Sequence, residues 1–200
     1  MGERQVDVVY EEGLLHLGGG VGSEFMELNW TGLHSIAVVA QVWGSWTPSK
    51  VIIFSWQTLP GRLPTRENLV RRGVLPLDAS AQCPCCDGEI ESEDHLLVTC
   101  PLARAVWSLV HRWFVVISVV PSTLSSMCES FLKICRKGKN GTKGVLLVWH
   151  SVIWALWCAR NDNIFSEKVV GSEEVFEKAQ IISWKWLIAK KNKAPCLYYE

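Results

Sequence analysis

Four side chains in the middle of the chain have the types and spacing of metal ligands. Cys83 and Cys86 form a C-x2-C pair, and His95 and Cys100 follow closely, which gives C-x2-C-x8-H-x4-C. Three thiolates and one imidazole form a closed set of four ligands with no open position, which is typical of a structural zinc site. The sequence therefore predicts a tetrahedral, structural Zn²⁺ held by these four residues.

One further thiol leaves the ligand choice open. Cys85 lies between Cys83 and Cys86 and could replace either of them. We prefer Cys83 and Cys86, because adjacent residues rarely bind one ion without strain. The alternatives are a redox pair, which lacks the strand–helix context such pairs have, and a set of unrelated reduced cysteines beside a surface histidine.

Composition sets the broad class of protein. The 200 residues are 48% hydrophobic and 20% charged, which excludes a disordered chain. The N-terminal residues 1–7 carry three charges and no apolar stretch, so no secretory signal is predicted. We therefore expect an intracellular protein, in the nucleus or cytoplasm, whose thiols stay reduced. The apolar run 144–159 is shorter than the roughly 20 residues of a membrane span and predicts a core helix.

Hydrophobic spacing and helix-ending residues predict a mainly α fold, a small helical domain built around the zinc-binding loop. Thr65 is a plausible N-cap for a short helix that stops at Gly73, and residues 76–94 are loop-like. Residues 136–144 are expected to form a basic loop. The predicted helices cover residues 50–59, 65–72, 103–117, 123–135, 145–164 and 173–190.

The apolar interior is expected to take up most of the remaining unusual residues. His111 and His150 lie among apolar residues and are expected to be core histidines, and Cys128, Cys135 and Cys158 to be buried fillers. Seven tryptophans are likewise predicted to be core residues rather than platforms for stacked bases: Trp107, Trp113, Trp149, Trp154, Trp157, Trp184 and Trp186.

Charge is segregated although Lys and Arg balance Asp and Glu at 20 each. Residues 77–95 contain six acidic side chains and no Lys or Arg. Basic residues gather on both sides of this stretch, and the C-terminal group lies within residues 133–143. Such clusters can contact phosphates. The basic group on the N-terminal side of the acidic stretch supplies the candidate nucleic-acid contacts Lys50, Arg62, Arg66, Arg71 and Arg72.

These motifs resemble the zinc-binding region near the C-terminal end of the reverse-transcriptase polyprotein of plant non-LTR (LINE-type) retrotransposons. The similarity runs from Trp43 to Trp186 and is most specific between Pro48 and Trp107. The matching positions are Trp46, Pro48, Lys50, Phe54, Trp56, Arg62, Pro64, Thr65, Leu69, Arg72, Gly73, Cys83, Cys86, Glu93, His95, Leu96, Cys100, Ala103, Trp107, Trp154, Trp157, Arg160, Asn161 and Phe165.

The resemblance implies a reverse transcriptase zinc-binding domain over residues 42–120. A Trp-rich helical extension over residues 121–200 follows it, and a poorly defined segment over residues 1–41 precedes it. The chain has no Asp-Asp pair of the kind a polymerase palm uses to hold two metal ions, and no ribonuclease H part is recognised. We therefore expect a non-enzymatic, zinc-binding module.

Two functions are consistent with this reading. The first is binding of RNA or single-stranded DNA, with no membrane partner and no small-molecule substrate. The alternative is a non-catalytic helical scaffold or protein-interaction remnant of a retroelement, favoured by the acidic residues of the zinc loop, which would repel phosphate.

Overall fold

The computed structural model describes the backbone of residues 9–11 and 14–16 and the chain over residues 42–134 and 138–192. Two short antiparallel strands, β1 (Val9–Glu11) and β2 (Leu14–His16), pair with Val9 opposite His16. The remainder of the predicted N-terminal segment, and Cys135 with the basic residues Arg136 and Lys137, lie outside the described residues.

The described chain is mainly helical, as the sequence predicts. A single π-helical turn, His95–Thr99, stands between the zinc loop and the third helix. Within the described part of the chain the α-helices are α1 (Ser49–Thr58), α2 (Arg66–Arg71), α3 (Pro101–Trp113), α4 (Leu124–Ile134), α5 (Gly138–Ser166) and α6 (Ser172–Lys191).

Helix α2 begins and ends where its sequence signals predict. The Thr65 hydroxyl accepts a hydrogen bond from the Asn68 N–H at 3.4 Å, as an N-cap does. At the other end, Gly73 has φ +68°, and the Val74 N–H donates to the Leu69 carbonyl. This is a Schellman motif with glycine at its left-handed position.

Helix α5 forms the centre of the fold. It packs against α1, α4 and α6, while α3 packs against α6 and the π-helical turn. One continuous core cluster joins the zinc loop to these helices, and Trp107, Trp149 and Phe131 are fully buried within it.

The same helix is long and apolar enough to pass as a membrane span by length and composition alone. The most apolar 18-residue window within Asn140–Ser166 has a mean hydropathy of 1.3, but 67% of that window is buried inside the protein. Core helices pass this test too, and the burial of α5 is that of a core helix, as the sequence predicts.

The predicted end of α3 is wrong. The helix stops at Trp113 instead of continuing to residue 117, because Val115 adopts φ 55° at the left-handed position of a second Schellman motif. The N–H groups of Val115 and Val116 donate to the carbonyls of Arg112 and His111. The following residues 116–120 form neither helix nor strand, and Ile117 is fully exposed.

The prediction of a loop over residues 136–144 is also wrong. In the described part of this stretch, α5 already begins at Gly138. Three glycines in this stretch lower its helix propensity. However, the buried residues from Val145 onward anchor the helix, and extending an existing helix adds one hydrogen bond per residue fixed.

Most of the predicted core residues are where they were expected. His150 and Cys128 are fully buried and His111 is nearly so, whereas Cys158 is half-buried. Trp107, Trp149 and Trp186 are buried, and Trp154 and Trp157 are half-buried against Phe54. The prediction is wrong for two tryptophans, because Trp113 is 45% and Trp184 62% exposed.

Candidate metal centre

The four predicted ligands lie together in space. Ligand atoms of Cys83, Cys86, His95 and Cys100 all fall within 4.8 Å of one another. The sulfurs of Cys83 and Cys100 are 4.0 Å apart, and Cys86 Sγ is 3.3 Å from His95 Nε2. Two sulfurs at the usual distance of about 2.3 Å from a tetrahedral zinc are about 3.8 Å apart. The spacing and donor chemistry therefore fit Zn²⁺.

A tight turn presents the first two thiols. The N–H groups of Cys86 and Asp87 both donate to the Cys83 carbonyl, at 3.4 and 2.8 Å. Asp87 turns the chain back with φ 52°, a conformation that Asp tolerates better than most residues. The Cys83 N–H then donates to the Glu89 carbonyl, which closes the turn.

The π-helical turn presents the other two ligands. His95 begins this turn, and the Cys100 N–H donates to the His95 carbonyl at 2.7 Å, a bond that spans five residues. Such turns are rare and are found frequently at functional sites. Pro101 then begins α3, in the position where a missing N–H costs nothing.

An acidic side chain fixes the orientation of the imidazole. Glu89 Oε2 lies 2.9 Å from His95 Nδ1, so Nε2 is the nitrogen that faces the thiols. A carboxylate behind a ligating histidine sets its tautomer and raises its basicity. Glu89 was not identified in this role from the sequence. The only sequence signal for it is that an acidic residue lies near the predicted ligand His95.

Burial and crowding keep the Cys83 and Cys100 thiols protonated unless a cation is bound. A hydrogen bond with Cys100 acts to lower the pKa of Cys83, but hydrogen bonding with Cys85 and burial outweigh it and raise this pKa to about 12. The Cys83 side chain and burial likewise raise the pKa of Cys100. A bound metal ion reverses this balance, because a coordinating thiol loses its proton.

Cys85 is excluded from the group of four by geometry. It is half-buried and packs beside the core, but its sulfur does not belong to the set of converging ligand atoms. The structure thus brings together the preferred set of ligands, while the Cys85 thiol stays outside that set and hydrogen-bonds the Cys83 thiol.

Buried contacts attach the zinc loop to the rest of the fold. The Glu93 carboxylate accepts hydrogen bonds from the Leu63 N–H at 3.0 Å and the Asn68 amide at 2.5 Å. Asp94 accepts from the first N–H of α4, that of Leu124, at 2.7 Å. The acidic residues of this loop are therefore partly internal structural groups.

The five candidate nucleic-acid contacts do not form one patch. Arg71 and Arg72 lie against the loop that follows α1, donating to the Gly61 carbonyl at 3.4 Å and the Arg62 carbonyl at 3.0 Å. Arg66 instead donates to the Gln82 carbonyl beside the zinc loop, and the Lys50 ammonium lies 5.7 Å from the Trp154 ring centroid.

Fold and site together define a helical protein with a closed Cys3His centre of the structural zinc type. Residues 25–107 match the family described as zinc-binding in reverse transcriptase, and no catalytic domain is detected. No curated protein and no solved structure shows significant similarity to the chain.

Proposed function

We propose that this chain is a zinc-stabilised, nucleic-acid-binding module of a plant LINE-type reverse transcriptase, working inside the cell on RNA or single-stranded DNA. The observation that carries the proposal is the family match over residues 25–107, which includes the Cys3His centre and an exposed arginine surface. The module contributes no catalytic step in this proposal, and zinc acts as a structural ion.

The binding surface that we propose is an arginine cluster formed by Arg62, Arg71 and Arg72. The side chains of Arg71 and Arg72 reach back by ten residues to the loop that contains Gly61 and Arg62. Arg71 and Arg72 are exposed, and Arg62 is half-buried. Neighbouring guanidinium groups suit phosphate oxygens, which they can bind through paired hydrogen bonds.

The acidic residues of the zinc loop oppose phosphate binding less than their number in the sequence indicates, because two of them are buried. Glu91 is fully buried and paired with Arg160, and Glu93 is 8% exposed and bonded to backbone and amide donors. Both carboxylates are turned into the fold and do not face an incoming strand.

Titration of single-stranded RNA at low salt tests the proposal. Affinity should fall as salt rises, because phosphate contacts release counterions. Reversing the charges of Arg71 and Arg72 to Glu should abolish most of this binding. The matched control reverses Arg104 and Arg112, which are exposed on α3 outside the cluster. Binding that is absent, or that both double variants weaken equally, would contradict the proposal.

A protein-interaction module is the second candidate, and one surface favours it. Val115, Ile117 and Val119 are 91%, 106% and 87% exposed in an uncharged segment that forms neither helix nor strand. Exposed apolar patches often mark protein interfaces. A pull-down that succeeds equally with the Arg71 and Arg72 reversal variant, combined with no RNA binding, would favour this function.

A further inference from the structure

We infer that a cavity at the N-terminal end of α1 binds phosphate. This inference rests on the proposed function and gives the bound strand a second contact with the protein. The cavity has a volume of about 210 Å³. Its walls include Thr47 and Ser49 at the start of α1, Lys190 from α6, and the rings of Trp46 and Trp186.

The start of α1 offers backbone donors to an anion. Pro48 is the N-cap and provides no capping side chain, and the first turn contains no acidic residue. The N–H groups of Val51 and Ile52 bond to the Pro48 carbonyl, whereas the Ser49 N–H has no acceptor within the described residues. Free N–H groups and the helix dipole both favour a negative ligand at this end.

Thr47 provides an independent sign of a missing partner. It is only 6% exposed and lines the cavity, and its hydroxyl has no hydrogen-bond partner in the described part of the chain. Buried polar groups are nearly always paired, so an orphaned hydroxyl beside a cavity indicates a ligand that completes the bond.

The opposite wall supplies charge and an aromatic surface. Lys190 lies in the last turn of α6, and its side chain lines the cavity. Trp186 is 3% exposed and forms a fixed wall, while the half-buried Trp46 leaves part of its ring accessible. A phosphate bound by Thr47, Ser49 and Lys190 would place its attached nucleoside within reach of the Trp46 ring, which can stack on any base.

The cavity and the arginine cluster lie at opposite ends of α1. Ten helical residues span about 15 Å. One extended strand can therefore contact both surfaces, with its phosphates at the cavity and at Arg71 and Arg72.

The experiment compares two probes, oligouridine and inorganic phosphate, on the full zinc-loaded chain. The variants Thr47→Val and Lys190→Gln should each weaken oligouridine binding, Lys190→Gln by about tenfold. Lys190→Gln should also reduce the salt dependence of binding by about 0.7 in log–log slope. The control Lys191→Gln removes a neighbouring charge that does not line the cavity and should leave affinity unchanged.

Thr47→Val also separates binding from folding. Its hydroxyl has no partner to lose, so the Tm of this variant in phosphate-free buffer should equal that of the unmodified protein. Inorganic phosphate should raise the Tm of the unmodified protein and have a smaller effect on both cavity variants.

The outcomes distinguish this site from the proposed function. Oligouridine binding that depends on Arg71 and Arg72 but not on Thr47 or Lys190, without a phosphate effect on Tm, overturns the phosphate site and leaves the proposed function standing. A Tm increase by phosphate that requires Lys190, without oligouridine binding, supports a site for free phosphate and contradicts the proposed function. If neither probe acts, both are overturned.

Discussion

Arg160 and Glu91 form a buried, two-point ion pair across 69 residues of sequence. Arg160 Nε and Nη2 donate to the two carboxylate oxygens at 2.7 and 2.9 Å, and the side chains are 6% and 0% exposed. The Arg66 N–H also donates to Glu91, and Asn163 donates to the Pro84 carbonyl. Helix α5 therefore holds the zinc loop directly, beyond the apolar core that they share.

Breaking this pair should destabilise the protein strongly. Arg160→Leu leaves the Glu91 carboxylate buried without its cation, which typically costs about 3–5 kcal/mol. Urea unfolding of the zinc-loaded protein measures the change. The control is Lys168→Ala, which breaks the exposed pair with Glu174 and should cost less than about 1 kcal/mol. Equal losses in the two variants would show that α5 does not depend on this pair to hold the loop.

Removal of a zinc ligand should act like chelation of the metal. Structural zinc in finger peptides contributes an apparent 10–16 kcal/mol or so to folding. Cys83→Ala and His95→Ala should therefore lose bound zinc and the stability it supplies. Cys85→Ala is the matched control, because its sulfur lies outside the set of four ligands. Elemental analysis and Tm with and without chelator measure both effects, and loss of zinc from Cys85→Ala would show that the ligand set is wrong.

Local signals were enough to predict much of this fold. The cap at Thr65 and the stop at Gly73 depend on neighbouring residues, and both lie where the sequence placed them. The spacing of the zinc ligands is equally local, since all four fall within residues 83–100.

The features that the sequence did not predict depend on distant contacts or on local strain. The partnership of Glu91 with Arg160 is created only when α5 packs on the loop, because no pattern links residues so far apart. The exposure of Trp184 depends on which face of α6 meets α5. The end of α3 requires Val115 in a left-handed conformation that valine seldom adopts, and the apolar spacing of the sequence does not indicate this.

His150 should make stability depend on pH. Its Nδ1 lies 2.6 Å from Ser55 Oγ in the core, and burial lowers the pKa of His150 to about 3. The unfolded chain binds this proton near pH 6.5, so the stabilisation is present above that pH and is lost as pH falls toward the folded pKa. Between about pH 7.5 and about pH 5.5 the loss should be about 1.4 kcal/mol.

Urea unfolding of the unmodified protein and of His150→Gln at both pH values isolates this effect, because the zinc ligands contribute equally to each. The difference in unfolding free energy between the two proteins should shrink at the lower pH by the stated amount. A difference that stays constant would mean that His150 is not held neutral.

Val115 should limit the stability of the loop after α3. It occupies the left-handed position of a Schellman motif at φ 55°, where Gly73 sits in the equivalent motif after α2. Left-handed backbone costs a residue with a Cβ roughly 1–2 kcal/mol, and Val115 is 91% exposed, so little packing is lost on substitution. Val115→Gly should therefore stabilise the protein by about 1 kcal/mol, less the entropy cost of glycine in the unfolded chain.

Gly73→Ala is the reverse test and should destabilise the protein by a similar amount, since a Cβ there meets the same backbone strain although nothing lies within 4 Å. Val119→Gly, in the same exposed segment but without a positive φ, controls for loss of a valine side chain and should not stabilise the protein. A lower Tm for Val115→Gly would show that this valine is not strained.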